Sequence, residues 1–351
     1  MERGLILKCV AAFALAAAVC AADGQVTLLI DDFDRDDMWV GTNWVDGRGG
    51  DGTIQAISGG SQNGRLDMYQ VRYGMSYDDT NWVGTVLLST LGYADVNVSF
   101  SGTFDRCYES GPHTLFFDFQ AAGSAWSNVW SDSVSPGGTP KAFSVTNLAL
   151  GPVARGKYLR VRFRPSGGWD DGCEVHEAAV QATETSGRKA HLVFRDHAAS
   201  GTCASNGWVK GGSDKYTFSR SGSEYVKGHV GNDYALKYSW LERTIDTTGY
   251  DDLVMFIVGA YGGSNNDALW FDYSTDGGSN WTLIAGNDVV GEHGGDRFET
   301  FIELPEEAVN SPDALRVRMN ANCTRAEKVR LDLVEVYGTI WRPPGTVVYI
   351  R

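Results

Sequence analysis

Several short segments of the chain alternate between apolar and polar residues. From Val96 to Phe100 every second residue is apolar, and the residues between are Asn or Ser. The segment from Leu159 to Arg164 repeats the pattern with arginine in each polar position. A period of two is typical of a β-strand with one buried face and one wet face. The sequence contains no amphipathic helical pattern of useful length, so an all-β fold is predicted.

Glycine-rich turn signals separate these strands. Asp276-Gly277-Gly278-Ser279, for example, joins two segments that lie within hairpin distance. The 43 glycines and the 12% aromatic content also favour strands and tight turns over helices. Many short strands within about 150 residues are typical of a two-sheet sandwich.

Three landmarks recur in the same order along the chain. Residues 91–104, 115–126 and 159–163 match residues 248–261, 269–281 and 315–319, at offsets between 154 and 157 residues. A nearly constant offset indicates a duplicated unit. We therefore predict a first copy at residues 23–184, a polar linker at 185–189, a second copy at 190–338 and a tail at 339–351.

The first 22 residues have the pattern of a secretory signal peptide. Arg3 and Lys8 precede an apolar run from Cys9 to Cys20, and small residues follow at Ala21 and Ala22. The run of about 12 residues is shorter than the roughly 20 that a transmembrane helix needs. We expect a secreted protein, extracellular or periplasmic, with no transmembrane segment.

The formal charge of −14 narrows the range of partners. It disfavours nucleic acids and anionic membranes, which bind basic surfaces. It permits cation binding without requiring it.

Four cysteines lie outside the signal segment: Cys107, Cys173, Cys203 and Cys323. An even number in an exported chain indicates disulfides. Four cysteines allow three pairings, and pairing within each copy is the simplest. We predict the bonds Cys107–Cys173 and Cys203–Cys323. No two of the four have the two-residue spacing of structural zinc sites.

Several landmarks carry a family resemblance. Asp31-Asp32-Phe33-Asp34, then Trp44 and a late Leu-Arg-Val-Arg strand, resemble the jelly-roll modules of bacterial adhesins and carbohydrate-binding proteins, of concanavalin-A-like or galactose-binding-like type. In the second copy, Phe194-Arg195-Asp196, Gly207-Trp208 and residues 270–274 look like cleaved-adhesin or MAM-like modules. The resemblance implies two tandem antiparallel β-sandwich (jelly-roll) domains that act as binding or spacer modules. Cys107 and Cys203 do not occupy equivalent positions, so a shared disulfide pattern is not implied.

Acidic residues cluster near the start of the first copy. Modules of the resembling kind often hold a structural calcium ion between their opening and closing strands, which implies Ca²⁺ at Asp31, Asp32 and Asp34. Calcium prefers six to eight oxygen ligands. The alternative is a solvated acidic edge that discourages strand pairing.

Tryptophans separate into recurring and unrepeated ones. Trp44 with Trp208, and Trp126 with Trp281, recur between the copies, which indicates core positions. Trp130 and Trp169 do not recur. Trp169 lies beside Asp170 and Asp171 in a segment whose composition is typical of a loop. An aromatic face beside carboxylates suits sugar binding, so Trp130, Trp169, Asp170 and Asp171 are the candidate ligand residues. The alternative is that these rings tuck into the edge of the domain.

One motif is complete in the second copy only. Ser274, Asp276, Gly278 and Trp281 have the Asp-box spacing, in which the Asp side chain caps backbone amides and glycine accepts a positive φ. A propeller needs several such motifs, so we interpret this one as a structural turn.

No catalytic residue is predicted. The sequence lacks a Gly-x-Ser-x-Gly elbow and a Walker loop, and His176-Glu177 lacks the second histidine of a zincin. The leading hypothesis is a non-catalytic recognition or adhesion protein that binds a polysaccharide or glycoprotein glycan. The alternatives are a structural spacer or matrix protein, and a glycan hydrolase whose carboxylate pair is assembled by the fold.

The tail carries a separate prediction. Pro343 and Pro344 cannot donate ladder hydrogen bonds, and an apolar β-prone run follows at Val347–Ile350. We expect this run to dock as an edge strand or to pair with a cell-surface or protein partner. A frayed terminus is the alternative.

Overall fold

The computed structural model describes seventeen stretches of the chain. They are residues 25–31, 44–46, 53–57, 65–69, 82–104, 112–156, 158–166, 172–185, 187–197, 207–212, 216–221, 225–230, 237–262, 268–285, 297–309, 315–323 and 328–340. The chain divides into two compact units, residues 1–189 and 190–351, which we call domain 1 and domain 2.

Domain 1 consists of short antiparallel strands. They are β1 Gln25–Asp31, β2 Trp44–Asp46, β3 Thr53–Ile57, β4 Arg65–Tyr69, β5 Val83–Thr85, β6 Leu88–Ser89, β7 Tyr93–Phe104, β8 His113–Ala121, β9 Ser127–Val134, β10 Lys141–Ala149, β11 Tyr158–Ser166 and β12 Gly172–Glu184. One sheet has the order β10-β7-β12-β4-β3, with β1 also paired to β12. The other has the order β2-β5-β11-β8-β9, with β6 paired to β11.

Domain 2 repeats this arrangement. Its strands are β13 Ala190–His197, β14 Val209–Gly212, β15 Tyr216–Ser221, β16 Tyr225–Val230, β17 Lys237–Ile245, β18 Tyr250–Gly262, β19 Ala268–Ser274, β20 Thr282–Ala285, β21 Arg297–Glu303, β22 Leu315–Cys323 and β23 Lys328–Ile340. The sheet orders are β21-β18-β23-β16-β15, with β13 on β23, and β14-β17-β22-β19-β20. These strand orders match those of domain 1, although none of the described strands of domain 2 is a separate counterpart of β6. The arrangement confirms the predicted fold class of two tandem antiparallel β-sandwiches.

Local details are duplicated as well. Asp95 and Asp252 stand at equivalent places near the starts of β7 and β18 and have φ values of 48° and 47°. In both domains the register with the neighbouring strand shifts at this point. Aspartate tolerates the left-handed region better than most residues, because its short polar side chain bonds locally. The shared backbone conformation shows that the duplication includes this bulge.

The short 3₁₀ turns at Pro152–Ala154 and Glu306–Ala308 are each held by a hydrogen bond from a threonine hydroxyl. The hydroxyl of Thr90 donates to the Ala154 carbonyl over 2.6 Å, and that of Thr247 donates to the Ala308 carbonyl over 2.7 Å. All four of these residues are buried.

Each domain has its own hydrophobic core between its two sheets. In domain 1, Phe100 stacks on Phe117 with ring centroids 4.7 Å apart, and Trp44 packs on Phe163 at 6.0 Å. The core of domain 2 is more aliphatic and is built around Phe271, which is fully buried. Full burial of a side chain of this size stabilises a fold by about 1.5–3 kcal/mol. The recurring Trp44 and Trp208 are 0% and 3% exposed, which confirms their predicted core positions.

The last strand runs past the predicted end of the second copy. β23 continues through the buried Thr339, which donates to Asp251 and Asp252, and ends at Ile340. Residues 341–351, with the predicted attachment run, lie outside the described part of the chain. Within that part, no helix has the length and apolarity needed to cross a membrane.

Candidate functional site

The predicted metal ligand Asp31 lies in a buried hydrogen bond. Trp44 donates its indole N–H to Asp31 Oδ2 over 2.8 Å, and Asp31 is 5% exposed. Trp208 and Asp196 repeat this pair in domain 2. Asp32 and Asp34 lie outside the described residues, and among the described residues no cluster of three metal-ligating side chains occurs. The calcium site therefore stays a prediction.

The predicted ligand residues are only partly described. Trp130, on β9, packs edge-on against Phe100 at 5.1 Å and lies 5.6 Å from Phe143, so it is half-buried against the core of domain 1. Trp169, Asp170 and Asp171 lie outside the described residues. Their role in ligand binding stays a prediction.

The disulfides also stay predictions. Cys173 is 1% exposed on β12, opposite Phe104 and Met68 on the neighbouring strands. Cys323 ends β22, while Cys107 and Cys203 lie outside the described residues.

An aromatic cluster not predicted from the sequence lies on one sheet of domain 2. On β17, β19 and β22, Leu241, Phe271 and Met319 point into the core. Because side chains alternate along a strand, the residues beside them occupy the opposite face. This face, which we call the aromatic face, comprises Tyr238, Trp240, Trp270, Asp272, Arg318 and Asn320.

Three rings of the aromatic face come together from two strands. Tyr238 stacks on Trp270 with centroids 5.7 Å apart and planes at 12°, and it lies 5.4 Å from Trp240. Tyr238 remains 41% exposed. Gly211 lies opposite Trp240, and a Cβ there would come within 2.2 Å of the Trp240 ring. Glycine at position 211 therefore leaves the room that the Trp240 ring occupies.

Polar groups adjoin these rings. The Tyr238 hydroxyl donates to Asn320 Oδ1 over 2.8 Å, and Asn320 Nδ2 donates to Asp272 Oδ2 over 2.8 Å. Burial raises the pKa of Asp272 above its usual value, although the bonds from Asn320 and Trp270 and the charge of Arg318 oppose the rise. Burial also raises the pKa of Tyr238, so its hydroxyl stays protonated. The face thus presents both donors and acceptors of hydrogen bonds beside apolar rings.

Glu242 neutralises two arginines at the edge of this face. Arg316 Nη1 donates to Glu242 Oε1 over 2.9 Å, and Arg318 Nη2 donates to Glu242 Oε2 over 2.6 Å. The Arg318 guanidinium also lies 3.6 Å from the centroid of Trp281. The formal charges of the two arginines, Glu242 and Asp272 sum to zero.

The Asp-box segment holds Trp281 in this place, which confirms its interpretation as a structural turn. Asp276 Oδ1 accepts the Asn280 backbone N–H over 2.8 Å, and Trp281 donates to the Gly278 carbonyl over 2.9 Å. Gly277 and Gly278 have positive φ, as the motif requires. Trp281 is only half-buried, however, and the prediction that Trp281 and its counterpart Trp126 are core residues is wrong: both cover arginines on the outer face of a sheet.

Domain 1 has a related face with different chemistry. Asp118 accepts bonds from Arg162 at 2.9 Å, Arg164 at 3.1 Å and Asn128 at 3.0 Å, and its side chain is 3% exposed. Burial alone would raise the pKa of Asp118, but these three bonds outweigh it and hold the pKa below its usual value. Arg162 lies 4.2 Å from the centroid of Trp126. We call this surface the arginine face.

Both domains are antiparallel β-sandwiches that carry aromatic and charged side chains on an outer sheet surface. No protein-family model and no curated protein sequence matches the chain. Among solved structures the chain is similar to the tandem of family 22 carbohydrate-binding modules (CBM22-1-CBM22-2) from Xyn10C of Paenibacillus barcinonensis. The two are 15% identical, with 91% of this chain and 99% of that chain covered and a TM-score of 0.30.

Two single modules from Clostridium thermocellum are also similar. The C-terminal family 22 carbohydrate-binding module of Xyn10B is 14% identical over 47% of this chain and 97% of its own, with a TM-score of 0.32. A family 11 carbohydrate-binding module in complex with a mixed-linked tetrasaccharide is 13% identical over 47% of this chain and 98% of its own, with a TM-score of 0.25.

Proposed function

We propose that the protein binds carbohydrate and that the aromatic face of domain 2 holds the ligand. The observation that carries the proposal is the exposed Tyr238 ring, set between Trp240 and Trp270 and bonded to Asn320. Apolar ring faces stack on the C–H faces of sugars, and neighbouring polar groups fix the hydroxyls. The ligand class is a polysaccharide or a glycoprotein glycan.

Exposed apolar residues on both sides of the aromatic face support contact with several sugar units of a glycan chain. Val209 and Leu283 stand on the outer strands of the same sheet, on either side of the face, and are 66% and 54% exposed. Together with Tyr238 they give one sheet surface three of the exposed large hydrophobic side chains found among the described residues. Exposed apolar side chains that alternate with polar groups on one surface suit a ligand with both apolar and hydroxyl groups.

The experiment measures binding of the full chain to a glycan array and then to soluble glycans by calorimetry. We expect Trp270→Ala to weaken binding at least tenfold, about 1.4 kcal/mol. Phe116→Ala is the matched control, because Phe116 occupies the equivalent place in domain 1. A flat array response by the wild type, or equal affinities for wild type and Trp270→Ala, would refute the proposal.

A hydrolase is the second candidate, on one observation. Glu242 and Asp272 flank Arg318 in the same cross-strand row, so their backbones are two strand spacings, roughly 10 Å, apart. Catalytic carboxyl groups of glycosidases lie about 5–9.5 Å apart, a range that two side chains on backbones at this spacing can span. Incubating the protein with any glycan that it binds, and assaying reducing ends, separates the two functions. Release that is abolished by Asp272→Asn would establish the hydrolase.

Export and attachment complete the proposal. We infer that residues 1–22 direct secretion and that residues 341–351 of the tail contribute to retention by a cell surface or protein partner. Cleavage after Ala22, seen by N-terminal sequencing of the exported protein, tests the first inference. Equal retention of the full chain and a variant that lacks residues 341–351 would exclude the second.

A further inference from the structure

A row of five directly opposed residues crosses the outer sheet surface of each domain. In domain 2 it runs Val209, Glu242, Arg318, Asp272 and Leu283 across the five strands. In domain 1 the aligned positions are Val45, Gly84, Arg162, Asp118 and Asn128. An arginine and an aspartate are direct neighbours in each row. The position next to the arginine is glutamate in one domain and glycine in the other.

That difference decides which carboxylate the arginine meets. With Gly84 beside it, Arg162 bonds the neighbouring Asp118, which Arg164 also bonds. With Glu242 beside it, Arg318 forms an ion pair with Glu242, which also pairs with Arg316. Asp272 therefore receives its hydrogen bonds from Asn320 and Trp270 instead of from a guanidinium.

The two aspartates consequently differ in what they can still accept. Asp118 is enclosed by three donors and is 3% exposed, so it offers little to a ligand. Asp272 is half-buried beside Trp270 and keeps its carboxylate out of an ion pair. A carboxylate in such a place accepts strong hydrogen bonds from hydroxyl groups, and it repels another carboxylate.

We propose that Glu242 is the specificity-determining residue of the aromatic face, and that it makes this face select neutral glycan chains over chains that contain uronic acids. This inference rests on the proposed function. Glu242 neutralises the two guanidiniums that would otherwise attract an acidic sugar, and it leaves Asp272 to accept sugar hydroxyls. Glu242 acts through these neighbours and is a positioning residue.

Domain 1 cannot acquire the same arrangement by a single substitution. A Cβ on Gly84 would lie 2.9 Å from the Trp82 ring and 3.1 Å from Arg160 Nη2. A glutamate there would have to displace Trp82, which is 9% exposed. Of the two described outer faces, we therefore expect the aromatic face, and not the arginine face, to select neutral glycans.

The test compares Glu242→Gln with wild type, using xylohexaose and cellohexaose as neutral probes and hexagalacturonic acid as the acidic probe. We expect the variant to bind the better neutral probe at least tenfold more weakly and to lose most of its preference over the acidic probe. Asp118→Asn is the matched control and should leave both affinities unchanged. Unchanged affinity and unchanged preference in a folded Glu242→Gln would overturn the inference while leaving carbohydrate binding intact.

A second readout does not need a glycan. Carboxyl NMR should show the pKa of Asp272 falling in Glu242→Gln, because Arg318 becomes available to pair with it as Arg162 does with Asp118. An unchanged Asp272 titration would overturn the inference. Failure of the wild type to bind any glycan would instead count against the proposed function itself.

Discussion

Trp208 donates its indole N–H to Asp196 Oδ2 over 2.5 Å, and both residues are buried in domain 2. The pair ties the start of β14 to β13, as Trp44 and Asp31 tie β2 to β1 in domain 1. Tryptophan supplies both the packing volume and the donor, so no other apolar residue can replace it.

We predict that Trp208→Phe destabilises domain 2 by about 2–4 kcal/mol. A hydrogen bond to a charged group contributes about 1.5–3 kcal/mol, and the smaller ring leaves a gap in the core. Urea denaturation of the full chain measures the change. Trp281→Phe, on the half-buried outer ring, is the control and should cost less. Equal losses for the two variants would show that the buried pair contributes nothing special.

The stability of domain 1 should fall in acid because of Asp118. Its pKa in the folded protein is depressed, so its contribution is complete above the unfolded value, about 3.9, and is lost as the pH falls through the folded value. Asp118→Asn should cost about 1–3 kcal/mol at pH 7 and should flatten the pH dependence below pH 4. Melting curves from pH 2 to pH 7 make the comparison. A variant as acid-sensitive as wild type would assign the effect to other carboxylates.

The Asp-box turn should resist acid more than most surface turns. Hydrogen bonds from Asn280 and Ser274 lower the pKa of Asp276 to about 2, so the carboxylate stays charged at pH 3 and the bonds are lost only as the pH falls through about 2. We expect Asp276→Ala to loosen Trp281 at neutral pH, with a red shift of its fluorescence. A Trp281→Phe background identifies that signal. No spectral change in Asp276→Ala would show that packing on Arg318 alone fixes the ring.

The fold was predictable from the sequence where a pattern is local. Alternation along segments such as Val96–Phe100 predicts strands, and repeated landmarks identify the duplication before any coordinates. The prediction that Trp126 and Trp281 are core residues, made from their recurrence alone, was wrong. A residue recurs whenever both copies require it, and both copies place a ring over an arginine on the outer face.

The aromatic face was not predicted, because its members come from strands separated by about 30 to 80 residues and meet only through register. A local signal was present. Tyr238 with Trp240, and Trp270 with Asp272, are two apart and therefore share a strand face. The choice of Arg318 between Glu242 and Asp272 depends on side-chain distances that no sequence pattern contains.

The disulfides predicted at Cys107–Cys173 and Cys203–Cys323 can be mapped on the exported protein. Each bond would close a loop of more than 50 residues, for which a chain-entropy treatment gives on the order of 4 kcal/mol. Non-reducing peptide mapping should find these two pairs. A peptide that links Cys107 to Cys203 or Cys323 would contradict pairing within each copy.

Chelation tests calcium at Asp31, Asp32 and Asp34. If the ion is present, EGTA should lower the melting temperature of domain 1, and excess Ca²⁺ should restore it, because a ligand that binds only the folded state stabilises it. Mg²⁺ is the control. An unchanged melting temperature would favour a purely structural role for Asp31 as the acceptor of Trp44.

The identical strand order of the two domains creates a folding hazard. During synthesis, a strand of one domain can pair at the position of its counterpart in the other domain, because the neighbouring strands and their directions match. Tandem domains of like topology are prone to such strand exchange. The central row differs between the domains, because β17 brings Glu242 beside its arginine and β5 brings Gly84. Moving β17 into the place of β5 would separate Glu242 from Arg316 and Arg318, the two guanidiniums that it bonds in the native fold. The unequal residues of this row thus favour correct assembly over exchange.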